Sequence, residues 1–289
     1  MSAVSPLQRE HLDEVGQFLH HNLAKRISPQ AWVNSLTHRW AQSQPNFGMQ
    51  LRAEDGRLVG VLLAVYSDQL IDGKVEQFCN PHSWCVLDEF RHASINLVIS
   101  VIKQRGYHFT MFTPNPKVAQ VFLGLRFRLL DDRLLYLANR PALSSWLWPQ
   151  MGGSFVDTDA EQIVTRLSGA ALAEFQAHRY LPWLRFVAFG VPGDACLVIY
   201  KPGRWKKLPC ALIGHVSDPA AMQRHGHLLR HHLLVRRGLA LCRVEARFLS
   251  SVPMLAYRSR RTQPKLVVSK TLNDSQIRDI YSELMALDI

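Results

Sequence analysis

The segment Ser83–Tyr107, "SWCVLDEFRHASINLVISVIKQRGY", decides how the rest of the chain is read. An apolar, strand-like run stops at Val86, Arg91 follows five residues later, and apolar residues then dominate through Ile102 until Arg105-Gly106 closes the unit. The pattern predicts a strand, a turn and a buried helix. A strand feeding a helix N-terminus presents unpaired amide groups and the positive end of the helix dipole, which attract phosphate. Glycine normally lets such a turn approach its ligand closely, and this turn contains none.

Outward from that turn the period changes twice. Residues 8–23 place Leu12, Val15, Phe18 and Leu19 on one helical face, and a second helix follows "ISP" with Trp32, Leu36 and Trp40 at four-residue spacing. "GMQLRAEDGRLVGVLLAVYS" reads as strand, Asp-Gly turn and strand, and "KVEQFC" and "SWCV" as two more strands. After the quoted segment come the strand "YHFTMFT", a short helix "PNPKVAQVFLGL", and the strands "RFRLL" and "RLLYLA" around an Asp-Asp turn. The order α-α-β-β-β-β-α-β-α-β-β predicts a mixed α/β fold (an α+β mixed sheet) and excludes a doubly wound nucleotide fold.

Residues 141–156, rich in Pro, Gly and Ser, read as a linker between a first domain, 1–140, and a second, 157–289. The second domain opens with a helix over 157–179, capped by Asp157 or Thr158, and continues with the strands "LRFVAFG" and "ACLVIYKPG". It also echoes the first. A strand ends at Val216, a Leu- and His-rich helix follows, then Arg237-Gly238 and a strand. The Val-to-Gly distance is 20 residues in one half and 22 in the other. A fold repeat and two unrelated β-α-β units both account for that spacing.

Composition bounds the partners. Of 289 residues 47% are hydrophobic and 20% charged, a globular balance. No apolar run approaches the roughly 20 residues of a membrane span. The first 23 residues carry acids and no apolar core, so no signal peptide is expected and a cytoplasmic location is the default. Five scattered cysteines without a Cys-x-x-Cys pair predict reduced, buried thiols. The net charge of +11 fits nucleic acid, a phosphorylated cofactor or an acidic protein, and equally a solvated surface.

Two motifs give the first 140 residues a resemblance to the GNAT superfamily, the GCN5-related N-acetyltransferases. "VLDEFRHASIN" resembles that family's acyl-CoA pyrophosphate loop, with Val86 and Arg91 matching and Ser94 and Asn96 at the two glycine positions. "NPKVAQVFLGLRF" resembles the segment in which the family carries an Asn, a Tyr acid and a closing Gly-Phe. Asn115 and Phe127 match, Phe122 replaces the Tyr, and Arg126 replaces the Gly. The resemblance covers about half the chain, and the echo makes the second half a divergent second copy, a tandem arrangement. It implies an N-acyltransferase fold with acetyl-CoA or another acyl-CoA as co-substrate and no metal. It also implies an amine acceptor, with an acyl carrier protein as alternative donor. Val86, Arg91, His92, Ala93, Ser94, Ile95, Asn96 and Asn115 would bind the cofactor.

A general base in this family often sits on the strands before the loop, where Glu76, His82 and Ser83 stand. His82, in "CNPHSW", has an ordinary pKa near the working range of a base. Asn80-Pro81 predicts a bulge or bend there. Trp146, Trp148, Trp183 and Trp205 read as interdomain packing or as a substrate pocket. In "HGHLLRHHLL" the His pair at four-residue spacing lacks the Glu of a zinc hydrolase helix, so no metal is expected. "KPGRWKK" and "YRSRRTQPK" are basic clusters for a 3′-phosphate, a carrier protein or RNA, with no nucleic-acid motif beside them. Catalysis, binding on a degenerate transferase scaffold, and non-specific nucleic-acid binding are the three functional expectations.

Overall fold

The computed structural model describes residues 3–38, 40–131, 133–141, 153–259 and 263–288. The chain divides into two compact units. The first unites Met1–Leu130 with Gln263–Asn273 and Tyr281–Ile289, and the second unites Asp131–Thr262 with Asp274–Ile280.

The first unit opens with strand β1 (Ala3–Pro6) and helices α1 (Leu12–Asn22) and α2 (Pro29–Leu36). Ser28 caps α2 by accepting a hydrogen bond from the Ala31 amide, with Pro29 at the first helical position. Strands β2 (Gly48–Arg52), β3 (Leu58–Ile71) and β4 (Lys74–Val86) form an antiparallel meander. The two strands expected at "KVEQFC" and "SWCV" are thus one continuous strand. Then come α3 (Ile95–Ile102), β5 (His108–Met111), α4 (Pro116–Gly124) and the two-residue β6 (Arg128–Leu129). The sheet is buried on both faces. Val61 and Leu63 pack with α1 and α2, while Leu62, Ala64 and Tyr66 pack with Leu97, Val98 and Val101 of α3. This explains why β3 reads as an unbroken apolar run.

The second unit holds β7 (Leu134–Ala138), β8 (Phe155–Asp157), α5 (Ala160–Arg166), α6 (Gly169–His178) and β9 (Arg185–Val191). It continues with β10 (Asp194–Trp205), β11 (Leu208–Val216), α7 (Pro219–Val235), β12 (Leu241–Glu245) and β13 (Tyr257–Ser259). The single helix expected over 157–179 is two, broken at Ser168-Gly169, and Asp159 is the cap. Phe155 and Val156, expected in the linker, belong to β8, and Trp146 and Trp148 lie outside the described residues. Trp183 and Trp205 belong to the second unit.

The sheet orders expose a reciprocal exchange. The first sheet runs β1-β2-β3-β4-β5-β14-β6, where β14 is Leu266–Val268, and the second runs β8-β9-β10-β11-β12-β7-β13. Position by position these are the same sheet. Each places one strand from the other half of the sequence between its fifth and its last strand. "RFRLL" and "RLLYLA", expected to pair around a turn, therefore lie in different sheets. The C-terminal helix α8 (Glu283–Ala286) also returns to the first unit.

The echo is structural as well. β4 ends at Val86 and β11 at Val216, and each is followed by a helix. Gly106 and Gly238 then both adopt left-handed φ, +90° and +65°, before the next strand. An L side chain resists that conformation, so glycine marks both helix ends. All five cysteines are free and buried. Among the described residues no helix is long and apolar enough to cross a membrane.

Candidate active site

The parallel strands β4 and β5 pair at only two positions, Phe78 with His108 and Cys79 with Phe109. Beyond them the Asn80 amide nitrogen donates to the Thr110 carbonyl at 3.0 Å and to its hydroxyl at 3.1 Å. The next residue, Pro81, has no N–H to give to a ladder. Past this stitch the two strands separate.

The edge of the split carries a bulge. Leu63 faces His82 and Val61 faces Cys85, so Ser83 and Trp84 together oppose Leu62. Ser83 takes φ +53°. A non-glycine residue in that region costs about 1–3 kcal/mol, and such strain collects at functional sites. The bulge lies two residues beyond the Asn80-Pro81 bend expected from sequence.

A cavity of about 210 Å³ occupies the split, lined by His82, Ser83 and Trp84 on one side and Met111, Thr113, Asn115 and Val118 on the other. His82 is 1% exposed. Its Nδ1 lies 2.9 Å from Ser83 Oγ, while its buried Nε2 and the buried Trp84 Nε1 have no partner. Buried polar atoms of this kind call for a partner from a bound molecule or solvent. Burial lowers the His82 pKa to about 3, so the ring is neutral at pH 7. Asn115 caps α4, accepting from the Val118 amide at 3.0 Å. Thr113 donates to Glu283 of α8 at 2.7 Å, across 170 residues of sequence. Glu283 is 3% exposed and was missed by the sequence reading, since nothing local marks its approach to Thr113.

The other sequence candidates lie as follows. Glu76 sits on the paired end of β4, 3.0 Å from His108 Nε2, and does not line the cavity. Val86 ends β4 and packs against the core. Residues Asp88–Ala93 form a 3₁₀ helix that runs through a helical Ser94 into α3. The Phe90, Ser94 and Leu97 amides donate to the carbonyls of Leu87, Arg91 and Ser94. Ser94 Oγ donates to the Arg91 carbonyl at 2.6 Å, and exposed Arg91 pairs with Asp88 at 2.6 Å. His92 and Asn96 are exposed, Ala93 is buried and Ile95 packs on the core. Phe122 is fully buried, edge-on to Phe127 at 4.9 Å. Arg126 holds φ +68°, a glycine-like conformation without the glycine.

The second unit repeats the framework with a different filling. β11 and β12 pair in parallel at three positions and then part, and β11 bulges at Gly214. Asp218 caps α7, its Oδ1 accepting from the Ala220 and Ala221 amides at 2.8 and 2.9 Å. A carboxylate thus occupies the amides that a phosphate would use. From β11, His215 Nε2 lies 2.7 Å from Glu174, which pairs with Arg278. At the end of β12, Glu245 holds Arg247 at 2.8 Å, and Arg247 holds Asp279 at 2.5 Å and donates to the Ile277 carbonyl. His178 Nε2 lies 2.8 Å from the Ile280 carbonyl. The segment Asp274–Ile280 therefore bridges the parted strands. Burial pushes the Glu174 carboxyl up, but His215 and Arg278 outweigh it and hold the pKa below the usual range.

No protein-family model matches the sequence, and no curated protein does. Solved structures do match by fold. A GCN5-related N-acetyltransferase from Anabaena variabilis aligns over 92% of this chain and 72% of its own, at 10% identity and a TM-score of 0.59. One from Kribbella flavida aligns over 92% and 71%, at 11% identity and 0.58. A protein from Enterococcus faecalis described as a probable N-acyltransferase aligns over 92% and 72%, at 10% identity and 0.59. The fold class is that of the GNAT proteins. This chain carries it in two lobes, each with its own seven-stranded mixed sheet.

Proposed function

We propose that the first lobe is an N-acyltransferase site that moves an acyl group from a pantetheine thioester to an amine by direct attack. The open split between β4 and β5, with His82 among the residues lining its cavity and the buried His82 Nε2 unpartnered, carries this reading. The thioester would lie at the bulge, where a backbone N–H of β4 would polarise its carbonyl. With Nδ1–H donated to Ser83, His82 accepts the amine's proton as the C–N bond forms. The C–S bond then breaks. Phe122 has no proton for the thiolate, which takes one from solvent. Glu76 is assigned to holding His108.

Val86, Arg91, His92, Ala93, Ser94, Ile95 and Asn96 would face the phosphates of a CoA donor, and Asn115 its pantetheine arm. Because amides of this turn are engaged in helical bonds and Asp88 neutralises Arg91, we assign most donor affinity to pantetheine and acyl group. Acyl-CoA and an acylated carrier protein both fit that donor class, and the +11 charge suits either. A second reading, thioester binding without turnover, is favoured by Phe122 and by the low proton affinity of His82.

Calorimetry with acetyl-CoA and with S-acetyl-pantetheine tests the assignment. Their affinities should agree within about tenfold, a modest difference in binding free energy. His82→Ala should lower turnover by about 10²–10⁴ at nearly unchanged affinity. No heat with either thioester, or with longer acyl-CoAs, would sink the proposal. Binding without turnover across a broad amine panel would select the second reading.

A further inference from the structure

Residues 201–207 and the start of the second basic cluster, Tyr257-Arg258, which acyl transfer leaves unused, meet in the second lobe. Trp205, at the end of β10, stacks on Tyr136 at 4.4 Å and lies 5.2 Å from Tyr257. Lys206 Nζ sits 4.7 Å from the Trp205 ring and 5.5 Å from the Tyr257 ring. The loop running into Tyr257 carries Met254, 93% exposed, Leu255, 82% exposed, and the exposed Val252. Arg204, Lys206, Lys207 and Arg258 are all exposed, and none makes an ion pair among the described residues. Residues 201–209 and 249–259 contain no Asp or Glu.

The turn that presents the lysines is a costly choice. Lys206 and Lys207 form the two-residue connection between Trp205 and Leu208, with φ +45° and +71°. Such hairpins favour Asn-Gly, because both positions need left-handed backbone. Two lysines there trade local stability for charge.

We propose that this patch docks the chain peripherally on an anionic lipid surface. Met254, Leu255 and Val252 enter the boundary between headgroups and acyl chains, Trp205 and Tyr257 lie at headgroup depth, and the four cations meet lipid phosphates. The apolar side chains project from a loop and do not line a groove. A nucleic acid would leave them without a partner, and Lys206 and Tyr136 already cover faces that bases would stack on. This surface is independent of the acyl-transfer reading, and its test does not require activity.

Co-sedimentation of the full chain with phosphatidylcholine vesicles, with and without phosphatidylserine, reads the docking directly. Binding is expected with the anionic vesicles alone. The Met254→Ser, Leu255→Ser double variant should weaken it about a hundredfold, because both side chains lose their apolar burial. The Lys206→Asn, Lys207→Gly variant should weaken it roughly 25-fold, about fivefold per cation. That variant supplies the preferred turn residues, so its hairpin stays folded. A wild-type chain that stays in solution with anionic vesicles overturns the proposal and leaves the patch to an acidic protein. Equal binding to neutral vesicles, or a Met254→Ser, Leu255→Ser variant that pellets like the wild type, overturns it as well.

Discussion

The two lobes share one sheet order and one placement of the strand bulge, yet one split borders a cavity and the other is crossed by buried ion pairs. In the first lobe Asn80 stitches the fork, and His82, whose Nε2 has no partner, lines a cavity. In the second, Glu174 pairs with Arg278 and bonds to His215, and Arg247 pairs with Glu245 and Asp279, across the equivalent space. The parted strands are a property of the fold. Whether they hold a ligand depends on which segment of chain returns to them.

Cutting the chain breaks the comparison most severely. A fragment of residues 1–140 carries β7, whose partners are in the second sheet, and lacks β14, which β5 and β6 need. Neither 1–140 nor 157–289 should unfold cooperatively by circular dichroism. A sharp melt of either alone would refute the strand exchange.

Arg247→Leu comes next. It leaves Glu245 and Asp279 buried without their cation, which should cost about 3–5 kcal/mol in urea denaturation. His82→Ala, beside an open cavity, should cost no more than about 2 kcal/mol, a typical single-site effect. Equal losses would mean that the first split is also a structural core.

Acid sharpens the contrast through one nearly fully buried histidine in each lobe, His82 in the first and His178 in the second. Burial lowers His82 to about 3 and His178 to about 4, while an unfolded imidazole titrates near its ordinary value of about 6.5. Between these values the unfolded chain binds more protons. The stability these groups contribute is full above about pH 6.5 and falls as pH drops toward 4, by about 1.4 kcal/mol per pH unit for each. His82→Gln should remove the His82 share of the slope. An unchanged slope would contradict the burial of that ring.

The smallest effects concern two positions where the resemblance leads one to expect glycine. Arg126 keeps the left-handed backbone, so Arg126→Gly should stabilise by about 0.5–1 kcal/mol. Ser94 has become helical, so Ser94→Gly should destabilise by about the same amount. Thermal melts of the two variants should move in opposite directions.

These positions also show how far the sequence could be read. The strand end at Val86, the helix after it and Gly106 were legible, because strand, helix and cap each leave a short-range signature. The same held for Val216 and Gly238. His82 was legible as a candidate by residue type and place, but its isolation from solvent was not. The change from cradle to continuous helix at Ser94 was marked only by missing glycines, which say what the backbone need not do and not what it does. Basic clusters at 201–207 and 257–265 were visible as charge, and the aromatic stack of Trp205 and Tyr257 was not.

The sequence by itself determined two α/β units with a common rhythm, since side-chain period and turn chemistry act over a few residues. Tertiary structure alone decided that β7 and β14 change places, that Glu283 reaches Thr113, and that residues 274–280 close the second split. The physical reason is that backbone pairing is chemically alike whichever strand supplies it. Loop closure adds only about 0.6 kcal/mol per doubling of length. The choice of partner therefore rests on packing across the whole sheet, which no local stretch encodes.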